Sequence, residues 1–289
     1  MDSSPWGPRK EAEHVQRNAS RENTTEGVIV REGTLYGTCV PVKNRDSDDG
    51  NSRNNSNRRL GNTSEYRPAG TSDVFVPTSR TRVRRHPERA RYERQTIYDI
   101  LDQAFVCHVA FISEGTPFVI PTNYVRVGDT LYLHGSTGSR MMKALAGGAL
   151  FSLCVTVLDG IVFAPTALGH SLNYRSVVVL GKAKVIKEVD AKVNAMREFV
   201  EYVAHGRWPT VRAPTASDIA RTMILAVPLV EASAKVRTGF ATDSQEEYLE
   251  GTWTGVLPLQ LTPGEPIPDP RGDRSVSVPH NIRHYSRPQ

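Results

Sequence analysis

Apolar positions are spread unevenly along this chain of 289 residues. They hardly recur before Tyr92 and fall into periodic runs after it. Ile97, Ile100, Leu101 and Ala104 stand at helical spacing and predict an amphipathic helix over 93–104. The apolar run 105–113 predicts a strand, and Glu114-Gly115 before 116–121 predicts a hairpin. A third strand over 123–126, a turn at Gly128-Asp129 and a fourth strand over 130–134 complete an expected antiparallel meander. Residues 139–146 predict a short helix, with Met142 and Leu145 three apart and Gly147-Gly148 as its stop. An unbroken apolar strand over 150–158 is expected to turn at Asp159-Gly160 into 161–164. There follow a long strand over 175–186, a helix over 191–204 striped by Val193, Met196, Val200 and Val203, and a last long strand over 222–231. Short strands joined by glycine turns, with three helices among them, predict an α+β, mainly β class: a β-barrel with peripheral helices.

Composition divides the chain. Hydrophobic residues make up 38% of it, and the shortfall sits at the ends. Residues 1–78 are rich in Ser, Asn, Thr, Arg, Asp and Glu and bury too little apolar surface to offset their ordering entropy. The Pro- and Arg-rich stretch 261–289 reads the same way, so disordered tails are expected on both sides of one folded domain over 79–260. The net charge of +5 is modest and the Arg residues mix with acids, which does not make the clustered basic face of a nucleic-acid binder. The basic run from Arg82 to Arg94 reads as a solvated linker. Three cysteines, Cys39, Cys107 and Cys154, match no zinc spacing and no disulfide framework, so no metal and a reducing, cytoplasmic setting are expected. No apolar leader stands near Met1 and no run approaches a membrane span.

The loop His134-Gly135-Ser136-Thr137-Gly138-Ser139-Arg140 carries the most chemistry. It leaves a predicted strand and enters a predicted helix, its small residues allow close backbone approach, and Arg140 and Lys143 add cations. That suits a phosphate; an N-capped helix with a flexible approach explains the same residues. Asn173-Tyr174-Arg175-Ser176 lines either a pocket mouth or a solvated loop. Lys235 and Arg237 share one face of an extended segment. His108 reads as a core histidine, alternating with Cys107 across a strand. No Walker pattern, Rossmann fingerprint or nucleophile elbow occurs.

Taken in order, these stretches resemble the pyridoxamine 5′-phosphate oxidase-like, FMN-binding split-barrel family, in the branch that holds the nitroimidazole-reductase-like resistance proteins. The likeness runs through Tyr92-Glu93-Arg94-Gln95-Thr96-Ile97, Gly115-Thr116-Pro117-Phe118-Val119-Ile120-Pro121-Thr122, Leu131-Tyr132-Leu133-His134-Gly135-Ser136 with Ser139-Arg140, and Val155-Thr156-Val157-Leu158-Asp159-Gly160. It continues through Asn173-Tyr174-Arg175-Ser176, Ser233-Ala234-Lys235-Val236-Arg237-Thr238-Gly239 and Trp253-Thr254-Gly255-Val256-Leu257-Pro258-Leu259. The resemblance implies a six-stranded antiparallel split barrel, a homodimer and FMN as cofactor. It puts Ser139 and Arg140 at the FMN phosphate with Lys143 beside them. Pro121 and Thr122 fall on the strand bordering the flavin ring, and His134 near its reactive face as the catalytic candidate. Arg175, Ser176, Lys235 and Arg237 would reach the cofactor from this chain or its partner. The terminal Arg-x-His segment of true pyridoxamine 5′-phosphate oxidases is missing after Leu259, so that reaction is not implied. The expected function is an FMN-dependent oxidoreductase acting on a small molecule; the alternative is a flavin- or haem-binding protein without turnover.

Overall fold

The computed structural model describes residues 72–248 and 250–285, so most of the segment 1–78 lies outside the described residues. Order reaches back before Tyr92. Phe75 is 2% exposed, its N–H donates to the Tyr92 carbonyl at 2.8 Å, and Val74 bridges to Glu93. A single buried aromatic has no period, which is why the pattern did not mark it.

The elements follow the predicted rhythm with four differences among the expected strands. After β1 (Ala90–Arg91) comes α1 (Arg94–Gln103), which buries Ile97, Ile100 and Leu101, the positions of the expected apolar stripe. The hairpin of β2 (Val106–Ser113) and β3 (Thr116–Asn123) turns through Glu114 and Gly115, both at positive φ (50° and 76°). Two such residues give the tight turn whose twist matches the strands. The first difference follows at once. β4 (Val125–Val127) and β5 (Thr130–Ser136) pair with each other, but they belong to a second sheet, so the expected four-strand meander breaks at Tyr124. That ring is wholly buried and its hydroxyl bonds the Leu101 carbonyl, pinning the crossover to α1.

α2 (Arg140–Ala146) comes next, then β6 (Phe151–Phe163), a single strand of 13 residues. The turn expected at Asp159-Gly160 is instead a bulge between Leu158 and Gly160 in the pairing with β7 (Ser171–Gly181). An extra residue bends a strand without reversing it. The third difference is that β7 stops at Gly181, and the short β8 (Lys184–Ile186) crosses to the other sheet. After α3 (Val189–Val203), the unpredicted α4 (Ala216–Arg221) is held by a capping box between Thr215 and Asp218. The fourth difference is that the expected last strand is two strands. β9 (Thr222–Pro228) and β10 (Glu231–Arg237) lie in different sheets, with Leu229 and Val230 between them. β11 (Gly255–Pro258) pairs with the far half of β6. A Cβ on Gly160 would lie 3.0 Å from the Leu257 carbonyl, so glycine is what lets β11 approach there.

The large sheet runs β1-β10-β7-β6-β2-β3 with β11 on β6, and the small one β4-β5-β9-β8; every pairing is antiparallel. The two sheets do not close into one cylinder but form a split-barrel-like arrangement with helices at its margins. The strands outnumber the expected six because short edge pieces add to the long ones. One core lies between the sheets: Val109, Leu153, Val155, Val177 and Val179 from the large sheet meet Leu131, Leu133, Leu225 and Val227 from the small one. α1 and α2 complete it with Ile97, Leu101, Met142 and Leu145. Cross-strand partners share a face. The opposite face of the large sheet therefore carries Lys235, Ser176 and Thr156 in one row and Ser233, Val178, Cys154, His108 and Pro121 in the next. His108 is exposed there rather than buried, because only its neighbour Cys107 points into the core. Burial pushes the Cys107 thiol up to about 12, which makes it an inert core residue.

Past β11 the chain is mostly exposed and forms no helix or strand until α5 (His280–Arg283). There Asn281 donates to the His205 carbonyl and the Tyr285 hydroxyl to that of Val203, both at 2.7 Å. Ile282 and Tyr285 so wall an apolar cleft of about 510 Å³ with Phe105, Tyr124 and Tyr202. Among the described residues no helix is long and apolar enough to cross a membrane.

Candidate functional site

The segment singled out between strand and helix forms a cleft. Ser113 and Glu114 at the β2–β3 turn face Gly138, Arg140, Lys143 and Ala144 of α2 and its approach, around a volume of about 570 Å³. β5 delivers the loop, and Gly135 is required where it passes under α2, since a Cβ would lie 2.9 Å from Met142 Cγ. Ser139 caps the helix, its hydroxyl accepting from the Met142 N–H at 3.4 Å. The N-cap reading of this stretch holds, and the cap leaves room for a ligand. The oxygen of Ser139 serves the helix, while the hydroxyl proton stays free to donate.

The cations are the informative part. Arg140 lies with its guanidinium 4.7 Å from the centre of the Phe118 ring, and among the described residues neither it nor Lys143 pairs with a carboxylate. Other arginines of the domain are committed: Arg94 to Asp129, Arg126 to Asp102, Arg175 to Asp159. Two uncommitted cations, one of them held in place by an aromatic ring, fit a phosphate dianion.

β3 supplies the wall beside the cleft. It is the edge strand of the large sheet, and Pro117 and Pro121, which have no N–H to offer, are compatible with that place only. Its core-side residues Phe118, Ile120 and Thr122 stay partly open because the small sheet does not reach across to cover them. A flat ring running from Arg140 along this strand would meet the Thr122 side; Pro121 points to the other face.

The remaining predicted residues lie elsewhere in the same chain. Arg175 sits three strands from β3, about 14 Å away at the usual strand spacing, and its guanidinium grips Asp159 at 2.9 and 2.7 Å. That pairing raises the Arg175 pKa, through the hydrogen bond to Asp159 first. The Ser176 hydroxyl donates to the Lys235 carbonyl at 3.3 Å, and the Lys235 side chain faces out on the exposed side of the large sheet. Arg237 is 6% exposed and bonds neutral acceptors, Asn173 Oδ1 and the Phe240 carbonyl. Its pKa is lowered by burial first. One chain thus brings Ser139, Arg140 and Lys143 together, with Thr122 along the strand, and keeps Arg175, Ser176, Lys235 and Arg237 apart from them.

His134 is not among the residues lining the cleft. Its ring meets Phe199 of α3 edge-on with centroids 4.3 Å apart, and its buried Nδ1 has no hydrogen-bond partner among the described residues. Burial holds its pKa below the ordinary imidazole value. A second proton would also leave a buried donor unpaired. The folded protein therefore binds this proton less readily than the unfolded chain, and stability must fall as the pH drops below about 6.5, where the unfolded imidazole charges. In urea unfolding compared at pH 7.5 and pH 5.5, His134→Gln should lose less stability than the parent; equal losses would contradict this reading.

An antiparallel split barrel whose cleft offers uncommitted cations beside an open edge strand is the architecture of a flavin-binding protein. The sequence profile described as pyridoxamine 5′-phosphate oxidase matches residues 93–236. The fold matches the flavocytochrome Anf3 from Azotobacter vinelandii at 39% identity and a TM-score of 0.68, covering 72% of this chain and 96% of that one. It also matches the FAD and haem binding protein from Mycobacterium smegmatis at 34% identity and a TM-score of 0.65, covering 68% of this chain and 96% of that one. A comparison with curated protein sequences finds no match. The chain belongs to the pyridoxamine 5′-phosphate oxidase-like family of flavin-binding proteins.

Proposed function

We propose that this protein is a redox flavoprotein that holds its flavin phosphate with Arg140 and Lys143 and carries haem as a second group. The observation that carries the flavin reading is the pair of uncommitted cations on the 570 Å³ cleft beside β3. The haem reading rests on likeness to two proteins, one a flavocytochrome and the other named for FAD and haem. FMN is what the family resemblance implies, and FAD is what the second relative is named for. We favour FAD on that ground; both flavins present the ribityl phosphate that Arg140 would meet.

A bound flavin supplies the hydride and electron chemistry. The residues of this chain bind and orient it. Arg140 meets the phosphate with a forked cation, Lys143 adds charge at the rim, and the open side of β3 from Phe118 to Thr122 gives the ring an apolar support. The reaction this supports is oxidoreduction of a small molecule.

We also infer a homodimer. The outer face of the large sheet exposes Val119 at 61% on β3 and Leu158 at 44% on β6, and on β10 it carries Lys235, which pairs with no carboxylate among the described residues; a second copy seated there would bring Lys235 towards the partner's flavin. Sedimentation at micromolar concentration should give about twice the chain mass of 32.0 kDa. A monomer carrying bound flavin would overturn this.

The absorbance spectrum of the purified protein tests the reading as a whole. Flavin bands in the blue and near ultraviolet together with a Soret band are expected, and mass spectrometry of the released flavin separates FAD from FMN. A protein that takes up neither group when both are offered would refute it.

A further inference from the structure

We propose that His170, in the turn between β6 and β7, is an axial ligand of the haem through its Nε2, a reading that rests on the haem assignment above. The ring nitrogen Nδ1 lies 2.9 Å from the Thr166 carbonyl oxygen. A carbonyl only accepts, so Nδ1 must carry the proton, and in the neutral ring the lone pair is left on Nε2. Metal-bound histidines are oriented in this way, with the second nitrogen donating to a backbone carbonyl.

The turn that holds the imidazole is rigid. The Gly169 N–H donates to the Thr166 carbonyl at 3.2 Å and to its hydroxyl at 3.1 Å. That hydroxyl in turn donates to Asp243. A Cβ on Gly169 would lie 2.7 Å from the Ala164 Cβ as well as against the Asp243 carboxylate, so glycine suits the position before His170. The lone pair is therefore presented on a fixed support, while the ring itself is exposed.

The surroundings suit a large flat apolar group rather than a hydrated cation. Strand register puts Ile161, Leu172 and Leu257 on one face, and alternation adds Phe163 and His170 to it. Phe163 meets the His170 ring edge-on at 5.9 Å and the Trp253 ring at 5.5 Å. Trp253 is 67% exposed, Leu257 49% and Leu172 45%, a contiguous apolar face around one imidazole nitrogen. Among the described residues no group of three or more His, Cys, Asp or Glu side chains could chelate a bare ion, so a group that needs one axial ligand and brings its own equatorial nitrogens is the occupant that fits. The chain has no Cys-x-x-Cys-His stretch, so the haem would be held without a covalent link. Coordination forms one iron–nitrogen bond, breaks the bond from the haemin iron to a water that leaves to solvent, and displaces no proton from the imidazole.

Haemin titrated into the whole chain, followed by the Soret band, tests this. The parent should bind with a histidine-ligated spectrum. His170→Ala should bind at least tenfold more weakly and lose that spectrum, and added imidazole should restore it. His134→Ala, with its ring packed under α3, should match the parent. Circular dichroism confirms that each variant is folded. A His170→Ala protein with the parent's band and affinity would overturn the His170 assignment and leave the haem reading standing. A parent chain that gives no Soret band would remove the haem reading and this assignment together, with the flavin reading untouched.

Discussion

Arg140→Ala should weaken flavin binding by about ten- to a hundredfold, while His134→Ala changes it little. A charge-assisted hydrogen bond to a phosphate is worth roughly 1.5–3 kcal/mol, and each 1.4 kcal/mol is about a factor of ten in affinity. Arg140 is placed for that bond before the ligand arrives, over the Phe118 ring at 4.7 Å and, among the described residues, without a carboxylate to leave. Little side-chain freedom is then lost on binding. Lys143 is an exposed point charge on a flexible stem, and its removal should cost less. His134 is directed under α3, so its loss acts on stability and not on the phosphate. The measurement is quenching of flavin fluorescence on titration into apo-protein, with FMN and FAD in parallel and at two salt concentrations. The parent should weaken as salt rises and the Arg140 variant much less, since screening acts on the charge that has been removed. Unchanged affinity in a folded Arg140→Ala protein would move the phosphate elsewhere, with Lys235 and Arg237 the next pair to replace.

Leu153→Ala should cost the apo-protein about 2–5 kcal/mol, a large share of the roughly 5–15 kcal/mol that holds a domain together. Leu153 is fully buried in the first half of β6, with Val109 on one side and Val179 on the other. The cost combines the lost transfer of the side chain from water with the cavity left between two sheets that cannot collapse onto it. At a slope of about 1–3 kcal/mol per molar urea, the midpoint should fall by roughly 1–2 M with the slope unchanged. Val178→Ala, next door on β7 but facing outward and 36% exposed, is the contrast. It should move the midpoint far less and lower the tendency to dimerise instead. Flavin must be absent, because a ligand that binds only the folded state would mask part of the loss. A Leu153→Ala midpoint within a few tenths molar of the parent would mean that the core does not run between the two sheets as described.

The parts of the site that the sequence disclosed are those made by neighbours in the chain. Ser139, Arg140 and Lys143 lie within one helical turn, so a strand, a loop of small residues and a helix start were enough to bring them together. The Glu114-Gly115 turn and the stripe of Ile97, Ile100 and Leu101 were legible for the same reason: each is a local preference written in adjacent positions. His170 left no such mark. Its chemistry depends on a backbone carbonyl four residues back and on Asp243, 77 residues beyond Thr166, and no spacing rule joins them.

What the sequence determined by itself was the class of fold, the succession of most strands and helices, and the family to which they belong. Periodicity and turn chemistry act over a few residues and survive in almost any context. Only the tertiary structure decided which strands are neighbours. Asp159-Gly160 carries a strong local turn signal, yet β6 continues through it with only a bulge, because pairing with β7 on one side and β11 on the other outweighs the preference of two residues. Gly181 and Tyr124 mark where the chain leaves one sheet for the other, and neither position announces a change of sheet. The same arrangement put Cys107 inside and His108 outside, committed Arg175 to Asp159, and left Arg140 over the Phe118 ring with no carboxylate partner among the described residues. Those outcomes depend on which surfaces end up facing each other, a property of the packed sheets that no single stretch of chain carries.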